Sequence, residues 1–391
     1  MIYLNNAATS WPKPQCVIDT LVRYAQGMPD GQMRSSLEAE EENIMEACRK
    51  SLSRLLGVKR WDRIFFTSGA TESANLFLRG MDWTDCRIYV AQTEHNCFLR
   101  PLWNFPGLRE RTGILPCDRK GYVKMSALSE LPFGKGAVII SHCSNVTGAV
   151  QPMGEIADIV KKKGYLLVVD VSQSAGCMPV EGDAWKADVL IFTGHKSLLG
   201  PQGTGGIFIR EGLPVRPLKY GGTGRESGKL LYAPGEYDYE PGTQNLPGIA
   251  ALKAGSDYIC ETGVDRIFRK EREDITYLLS ELERVKGFHL FGPESSEPRG
   301  PVLSFGINGL IPADISYILK DGYGIIVREG LQCAPLIHEC IESGKEGTVR
   351  VSISYITKRK EMDALIEAVR EIGGAMSGAD KRDQTFCGGM Q

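Results

Sequence analysis

The stretch Asp188-Val-Leu-Ile-Phe-Thr-Gly-His-Lys-Ser-Leu-Leu-Gly-Pro-Gln-Gly-Thr-Gly-Gly206 decides how this chain is read. Its apolar run at 189–192 has the length of a buried strand and is too short to span a membrane. That strand delivers Thr193, Gly194, His195 and Lys196 to its carboxyl end, where open α/β sheets hold their ligands. A lysine there, followed by a Gly-rich turn, suits a Schiff base with an aldehyde cofactor. Desolvation lowers the amine pKa and leaves the neutral nucleophile such chemistry needs. By itself a lysine after a strand is more often a solvated surface residue. The residues upstream change that balance.

Residues 166–170 read as a strand that ends at Asp170, with Gln173 three residues on. Residues 138–145 form another, ending in polar residues that include Asn145. A strand at 87–90 leads to Thr-Glu-His-Asn-Cys (93–97) and brings His95, one of five histidines, to a strand end. A strand at 63–66 runs into Thr-Ser-Gly-Ala-Thr-Glu-Ser (67–73), a small, hydroxyl-rich turn at a helix start. Backbone N–H groups in such a turn can face an anion, although an ordinary Ser/Thr N-cap has the same look. Helical spacing occurs at 17–25, at 38–56 (ending at Gly57) and at 154–163. Strands alternating with helices over 60–210 predict an α/β fold, with a mainly parallel, seven-stranded-type sheet covered on both faces and 203–210 as a return strand.

Residues 211–248 are rich in Gly, Pro and Tyr, the composition of a functional or interfacial loop. The Gly-x-Gly within Tyr-Gly-Gly-Thr-Gly-Arg (220–225) does not join a strand to a helix, which argues against a dinucleotide fingerprint. From 249 to 285 the pattern is helical. Strands at 301–307, 325–327 and 348–355 with helices at 313–319 and 361–372 then predict a smaller α+β domain. The expected plan is an N-terminal arm (1–15), a large cofactor-binding domain (16–248), a small C-terminal domain (249–373) and a flexible tail (374–391).

Composition narrows the function. The 391 residues are 42% hydrophobic and 24% charged, ordinary for a globular protein. Forty-six basic against 48 acidic side chains leave a net charge of -2, with no basic surplus for nucleic acid. No apolar run reaches membrane-spanning length, and the N-terminus shows no leader pattern. Eleven scattered cysteines without a C-x-x-C pair suggest reduced thiols in a cytoplasm, with neither a disulfide frame nor a metal site.

Together these residues describe a pyridoxal 5'-phosphate site. Lys196 serves the Schiff base, Asp170 the ring nitrogen, and Thr71 with the turn around Ala70 the phosphate. At this point the chain resembles the cysteine desulfurases of the class V aminotransferase group, fold-type I. The resemblance runs to about residue 372. It is carried by Tyr-Leu-Asn-Asn-Ala-Ala-Thr (3–9), Thr-Ser-Gly-Ala-Thr-Glu-Ser (67–73), Thr-Glu-His (93–95) and Ser-Asn-Val-Thr-Gly (144–148). It continues in Val-Asp-Val-Ser-Gln-Ser-Ala-Gly (169–176), Thr-Gly-His-Lys (193–196), Pro-Gly-Thr-Gln-Asn (241–245) and Arg-Glu-Gly-Leu-Gln-Cys-Ala-Pro-Leu (328–336).

The resemblance implies that His95 stacks on the pyridine ring and relays protons, and that Gln173 donates to the ring's phenolic oxygen. Thr71, Thr193 and His195 would hold the phosphate, with Thr243 reaching in from a second subunit of a homodimer. Asn145 and Arg350 would hold the substrate carboxylate, with Arg328 a further substrate-binding residue. Cys333 would accept sulfur from L-cysteine as a persulfide and pass it to an acceptor protein. The short segment around Cys333 is similar to the second, selenocysteine-lyase-like group, so L-selenocysteine and other C–S or C–Se lyase chemistry remain open alternatives. An aminotransferase would leave Cys333 without a role, and a non-catalytic carrier-binding scaffold would leave Lys196, Asp170 and Cys333 all without one. Three departures stand out: Asn5 where many relatives carry Asp, the segment 31–36 without its usual His, and a tail whose Cys387 offers a second sulfur acceptor.

Overall fold

Strands that are apolar at every position need both faces covered, and here they are. The computed structural model describes residues 1–27, 43–222, 228–232 and 238–386, the last ten of these by backbone alone. The expectations placed on 31–36, on 38–42, on 223–225 and on Cys387 lie outside the described residues. The chain begins with β1 (Ile2–Tyr3), α1 (Gln15–Gln26) and α2 (Ile44–Leu56). Asn43 caps α2, and Gly57 closes it at φ 61°, a left-handed conformation that suits glycine.

The large sheet is built from β2 (Ile64–Thr67), β3 (Arg87–Ala91), β4 (Thr112–Leu115), β5 (Gly136–Ser141), β6 (Leu166–Asp170), β7 (Val189–Thr193) and β8 (Gly205–Ile209). Between them lie α3 (Ala70–Gly80), α4 (Asn96–Asn104), α5 (Met125–Ser129) and α6 (Met153–Lys163). The spatial order is β2-β8-β7-β6-β5-β3-β4. Only β8 runs against its neighbours, as the return strand expected at 203–210. The other six point one way, so Thr67, Ala91, Ser141, Asp170 and Thr193 end on one edge. Val138, Ile140, Leu190 and Phe192 face one hydrophobic core, while Ile139, Val168, Val189 and Ile191 face another on the opposite side.

Next come α7 (Leu246–Thr262), α8 (Val264–Leu282), β9 (Phe288–Phe291), β10 (Val302–Ile307), α9 (Pro312–Tyr323), β11 (Ile325–Ile326), β12 (Arg328–Gly330), α10 (Ile337–Cys340), β13 (Thr348–Ser352) and α11 (Arg359–Phe386). The helical run expected from 249 to 285 is two helices, broken at Gly263 with φ 86°. Helix α11 continues to Phe386, past the end expected at 372. Four strands pair antiparallel as β12-β13-β10-β9, and β11 pairs parallel with β1 of the N-terminal arm. Helix α7 sends Ile249, Leu252 and Ile259 into the large-sheet core, whereas α8 straddles that core at Ile267 and the small-sheet core at Ile275 and Leu278. No described helix is long and apolar enough to cross a membrane.

On α8 sits Glu271, 3% exposed, with Oε2 lacking a hydrogen-bond partner. Burial pushes its carboxyl up to about 8. Between its ordinary value of 4.5 and about 8 the folded state holds a proton that the unfolded chain has released. Stability therefore falls as pH rises through that window. Glu271→Gln is expected to flatten this decline in melting temperature; a slope unchanged between wild type and variant would contradict it.

Candidate active site

The shared edge of six co-directed strands opens into a cavity of about 360 Å³, within the range of small-ligand sites. Of the residues singled out in the sequence, Ala70, Thr71, His95, Asn145, Asp170, Gln173, Thr193, His195, Lys196, Arg328, Cys333 and Arg350 all line it. Thr243 does not; it is exposed on the loop before α7.

One end of the cavity is made for an anion. Helix α3 starts there without a side-chain cap, so its first-turn N–H groups lack partners within the helix. Gly69 precedes it at φ 150°, ψ 179°, backbone open to glycine. A Cβ on the facing Gly205 would lie 2.5 Å from the Gly69 Cα, so two glycines let β8 and this turn touch. The acid of the first turn, Glu72, is taken up by Lys219 at 2.7 Å and by the Ser68 N–H at 2.7 Å. His195 borders this end with a buried Nδ1 that has no partner. Burial first, then Lys196 and Lys13, push its imidazole down to about 4, so the ring is neutral.

The floor is acidic. Asp170, at the end of β6, is 6% exposed. Its Oδ1 accepts the Ser172 N–H at 2.8 Å, and its Oδ2 faces the Cys97 thiol at 3.7 Å. His95 caps α4 by accepting the Cys97 N–H on Nδ1 at 3.0 Å, which places the proton of its neutral ring on Nε2. Burial, then the charge of Lys196, push this imidazole down to about 4. Lys196 follows β7 into the cavity. Burial holds its amine below the ordinary lysine range; Asp170 pulls the other way and Arg350 adds to the lowering. Gln173 Nε2 donates to the Ala7 carbonyl at 3.1 Å and keeps a second N–H free for the cavity.

Two guanidiniums and a thiol also line the cavity. Arg350 on β13 and Arg328 on β12 are directly paired across the strands. Arg350 is 2% exposed, yet among the described residues its hydrogen-bond partners are neutral: NH1 donates to the Asn145 carbonyl at 2.9 Å and NH2 to Asn5 Oδ1 at 2.9 Å, while Nε has none. Burial, then Arg328, bring it down to about 9. A buried cation without a carboxylate is costly unless an anion completes it. Arg328 NH2 lies 3.5 Å from Cys333 Sγ. Cys333 sits in an unusual turn: Gln332 and Cys333 have φ of 42° and 61°, left-handed values that non-glycine residues seldom adopt. Gln332 is pinned by donating to the Thr348 carbonyl at 2.8 Å and by accepting Asn145 Nδ2 on its own carbonyl at 2.7 Å. The Cys333 carbonyl accepts the Asn96 N–H at 2.7 Å. With the Thr348 hydroxyl donating to Gln332 Oε1 at 3.3 Å, four hydrogen bonds hold these two strained residues in place.

Sequence reasoning passed over Cys97, Ser172 and Gln332. Cys97 lies two residues past His95 and Ser172 two past Asp170, so both were legible as neighbours of strand-end residues. Nothing local marks Gln332.

The chain has relatives among known proteins. The family model for aminotransferase class-V matches residues 2–365. A probable cysteine desulfurase of Streptomyces coelicolor is 30% identical over 95% of this chain and 92% of its own. Another, of Xylella fastidiosa, is 32% identical over 95% of this chain and 91% of its own. Among solved structures, the apo cysteine desulfurase of Thermococcus onnurineus superposes with a TM-score of 0.85 at 30% identity, covering 96% of this chain and 95% of that one. The chain belongs to the class-V aminotransferase family. Within that family its place is with the cysteine desulfurases.

Proposed function

We propose that this protein is a pyridoxal 5'-phosphate-dependent cysteine desulfurase, converting L-cysteine to L-alanine and keeping the sulfur on Cys333 as a persulfide. The observation that carries the reading is one cavity joining a desolvated lysine, a buried aspartate, an unpaired guanidinium and a thiol in a strained turn. The residues fit the cofactor. The uncapped start of α3, the glycine contact at Gly69 and the unpartnered His195 Nδ1 suit a phosphate. Asp170 suits a protonated ring nitrogen, His95 a ring face and the spare Gln173 N–H a phenolic oxygen.

When bound, the cofactor supplies an electron sink for the pair left at the substrate α-carbon. Lys196 Nζ, its basicity lowered towards working pH, takes the α-proton and later returns a proton to carbon. Arg350 orients the substrate by its carboxylate, with the fork geometry of guanidinium. Asn145 and Arg328 close the same wall. Cys333 Sγ, 3.5 Å from Arg328 NH2, attacks the substrate sulfur. The new S–S bond forms as the substrate's C–S bond breaks. Cysteine plus enzyme thiol become alanine plus enzyme persulfide, with no external oxidant.

Thr243, exposed on its loop, is proposed to complete the phosphate site of a second copy, making a homodimer with composite sites. A sulfur-acceptor protein would discharge Cys333, and a cytoplasmic setting accords with the ten described cysteines all being free thiols. L-selenocysteine is a second substrate to test on the same site.

The direct test is release of alanine and sulfide from L-cysteine under reductant; a protein that binds the cofactor but forms neither would reject the reading. Arg350→Lys is expected to raise KM for L-cysteine about tenfold, since the charge survives but the bidentate fork is lost. Steady-state kinetics showing an unaltered KM would take Arg350 out of carboxylate binding.

A further inference from the structure

The N-terminal arm reaches both walls of the site before it enters α1. Asn5 takes a hydrogen bond from Arg350 at 2.9 Å, and the Ala7 carbonyl takes one from Gln173 at 3.1 Å. Its densest contact is with the peptide that carries Lys196. The His195 carbonyl oxygen accepts the Ser10 N–H at 2.9 Å, the Thr9 hydroxyl at 3.1 Å and the Lys13 ammonium at 3.0 Å. The Ser10 hydroxyl accepts from Lys13 Nζ at 2.7 Å and gives its own proton to the Lys196 carbonyl at 2.8 Å. A carbonyl oxygen has two lone pairs. Three donors, one of them a cation, converge on the carbonyl just before Lys196.

Lys13 itself is out of place for a structural lysine. Among the described residues its ammonium touches only neutral oxygens, and burial brings the amine down to about 8. Holding a cation there costs desolvation with no carboxylate to offset it. A methionine would fill similar space without that cost, so the charge is explained by what it touches. We propose that Lys13 is a positioning residue for Lys196: its ammonium ties the His195–Lys196 peptide to the N-terminal arm and sets a positive potential behind it. The role rests on the reading of Lys196 as the lysine that holds the cofactor. His195 feels the same charge, which helps keep its ring neutral at the anion end.

The test compares the wild-type holoenzyme with Lys13→Met, Lys13→Arg and Ser10→Ala. Three quantities are read: the pH titration of the cofactor–lysine absorbance, kcat and KM for L-cysteine, and the melting temperature. Loss of a nearby cation favours the protonated form, so Lys13→Met is expected to raise the titration midpoint by about one pH unit. It should lower kcat about tenfold while KM moves less than about threefold. Lys13→Arg should restore most of both, and Ser10→Ala should shift both in the same direction by less. Should Lys13→Met fail to fold, Ser10→Ala carries the test alone. A variant that loses only thermal stability, with midpoint and kcat unchanged, would overturn the role. Absence of the absorbance from the wild type would remove the proposed function and this role together, whereas a normal wild type beside unaltered variants removes the role alone.

Discussion

Lys196→Ala is expected to abolish alanine formation from L-cysteine, with a loss of about 10³-fold or more. General-base catalysis by one positioned side chain is worth roughly 10² to 10⁴ in rate, and this lysine is also the proposed covalent anchor of the cofactor. Its amine lies where three features meet: the end of β7, the buried Asp170 carboxylate and the Arg350 cation. Burial holds the amine below the ordinary lysine range, which favours its neutral, proton-accepting form. No neighbour replaces it. His95 is pushed down to about 4 and its free nitrogen carries a proton. His195 stands at the anion end. Added ammonia or methylamine should restore a small part of the rate, because the pocket would survive the truncation. Alanine formed at more than about a tenth of the wild-type rate would contradict the assignment.

Cys333→Ala is expected to separate binding from sulfur transfer. Cofactor affinity and absorbance should stay near wild type, since the contacts described for Cys333, with Arg328 and the Asn96 N–H, involve neither Asp170 nor the start of α3. Turnover of L-cysteine should fall on the order of a thousandfold or more, because the nucleophile that takes the sulfur is gone. Cys333→Ser should fall equally, as a hydroxyl at neutral pH lacks thiolate nucleophilicity. Neither change should cost much stability: Cys333 is half-buried and its φ of 61° is one that alanine or serine tolerates no worse. L-selenocysteine, with its weaker carbon–element bond, is expected to retain more activity in Cys333→Ala than L-cysteine does. Equal activity of Cys333→Ala and wild type on L-cysteine, measured as alanine, would exclude the persulfide route.

The sheet and its ligand edge were legible because each strand is a short apolar run that ends in a small or polar residue. Asp170 follows such a run directly, and Lys196, His95 and Thr71 stand within five residues of the end of one. Arg350 was harder. In an alternating strand it reads as an exposed charge, but all five residues of β13 are buried: Val349 and Val351 face the small-sheet core, while Arg350 on the other face meets the Asn145 carbonyl and Asn5. Short strands such as β4 and β9, of four residues each, leave too little pattern to separate from loop. The left-handed turn at Gln332 and Cys333 has no local signal, since neither residue favours it; distant hydrogen bonds impose it. Lys13 lies 182 residues from the carbonyl it binds, so its role becomes visible only once the chain is folded.

The most direct test of the central claim is the mass of Cys333 itself. The purified holoenzyme is treated with L-cysteine without reductant, and its thiols are blocked, digested and mapped by mass spectrometry. One added sulfur atom on Cys333, in step with the alanine released, is the predicted result. Alanine formed with Cys333 unmodified, or with the sulfur first on another cysteine, would contradict it.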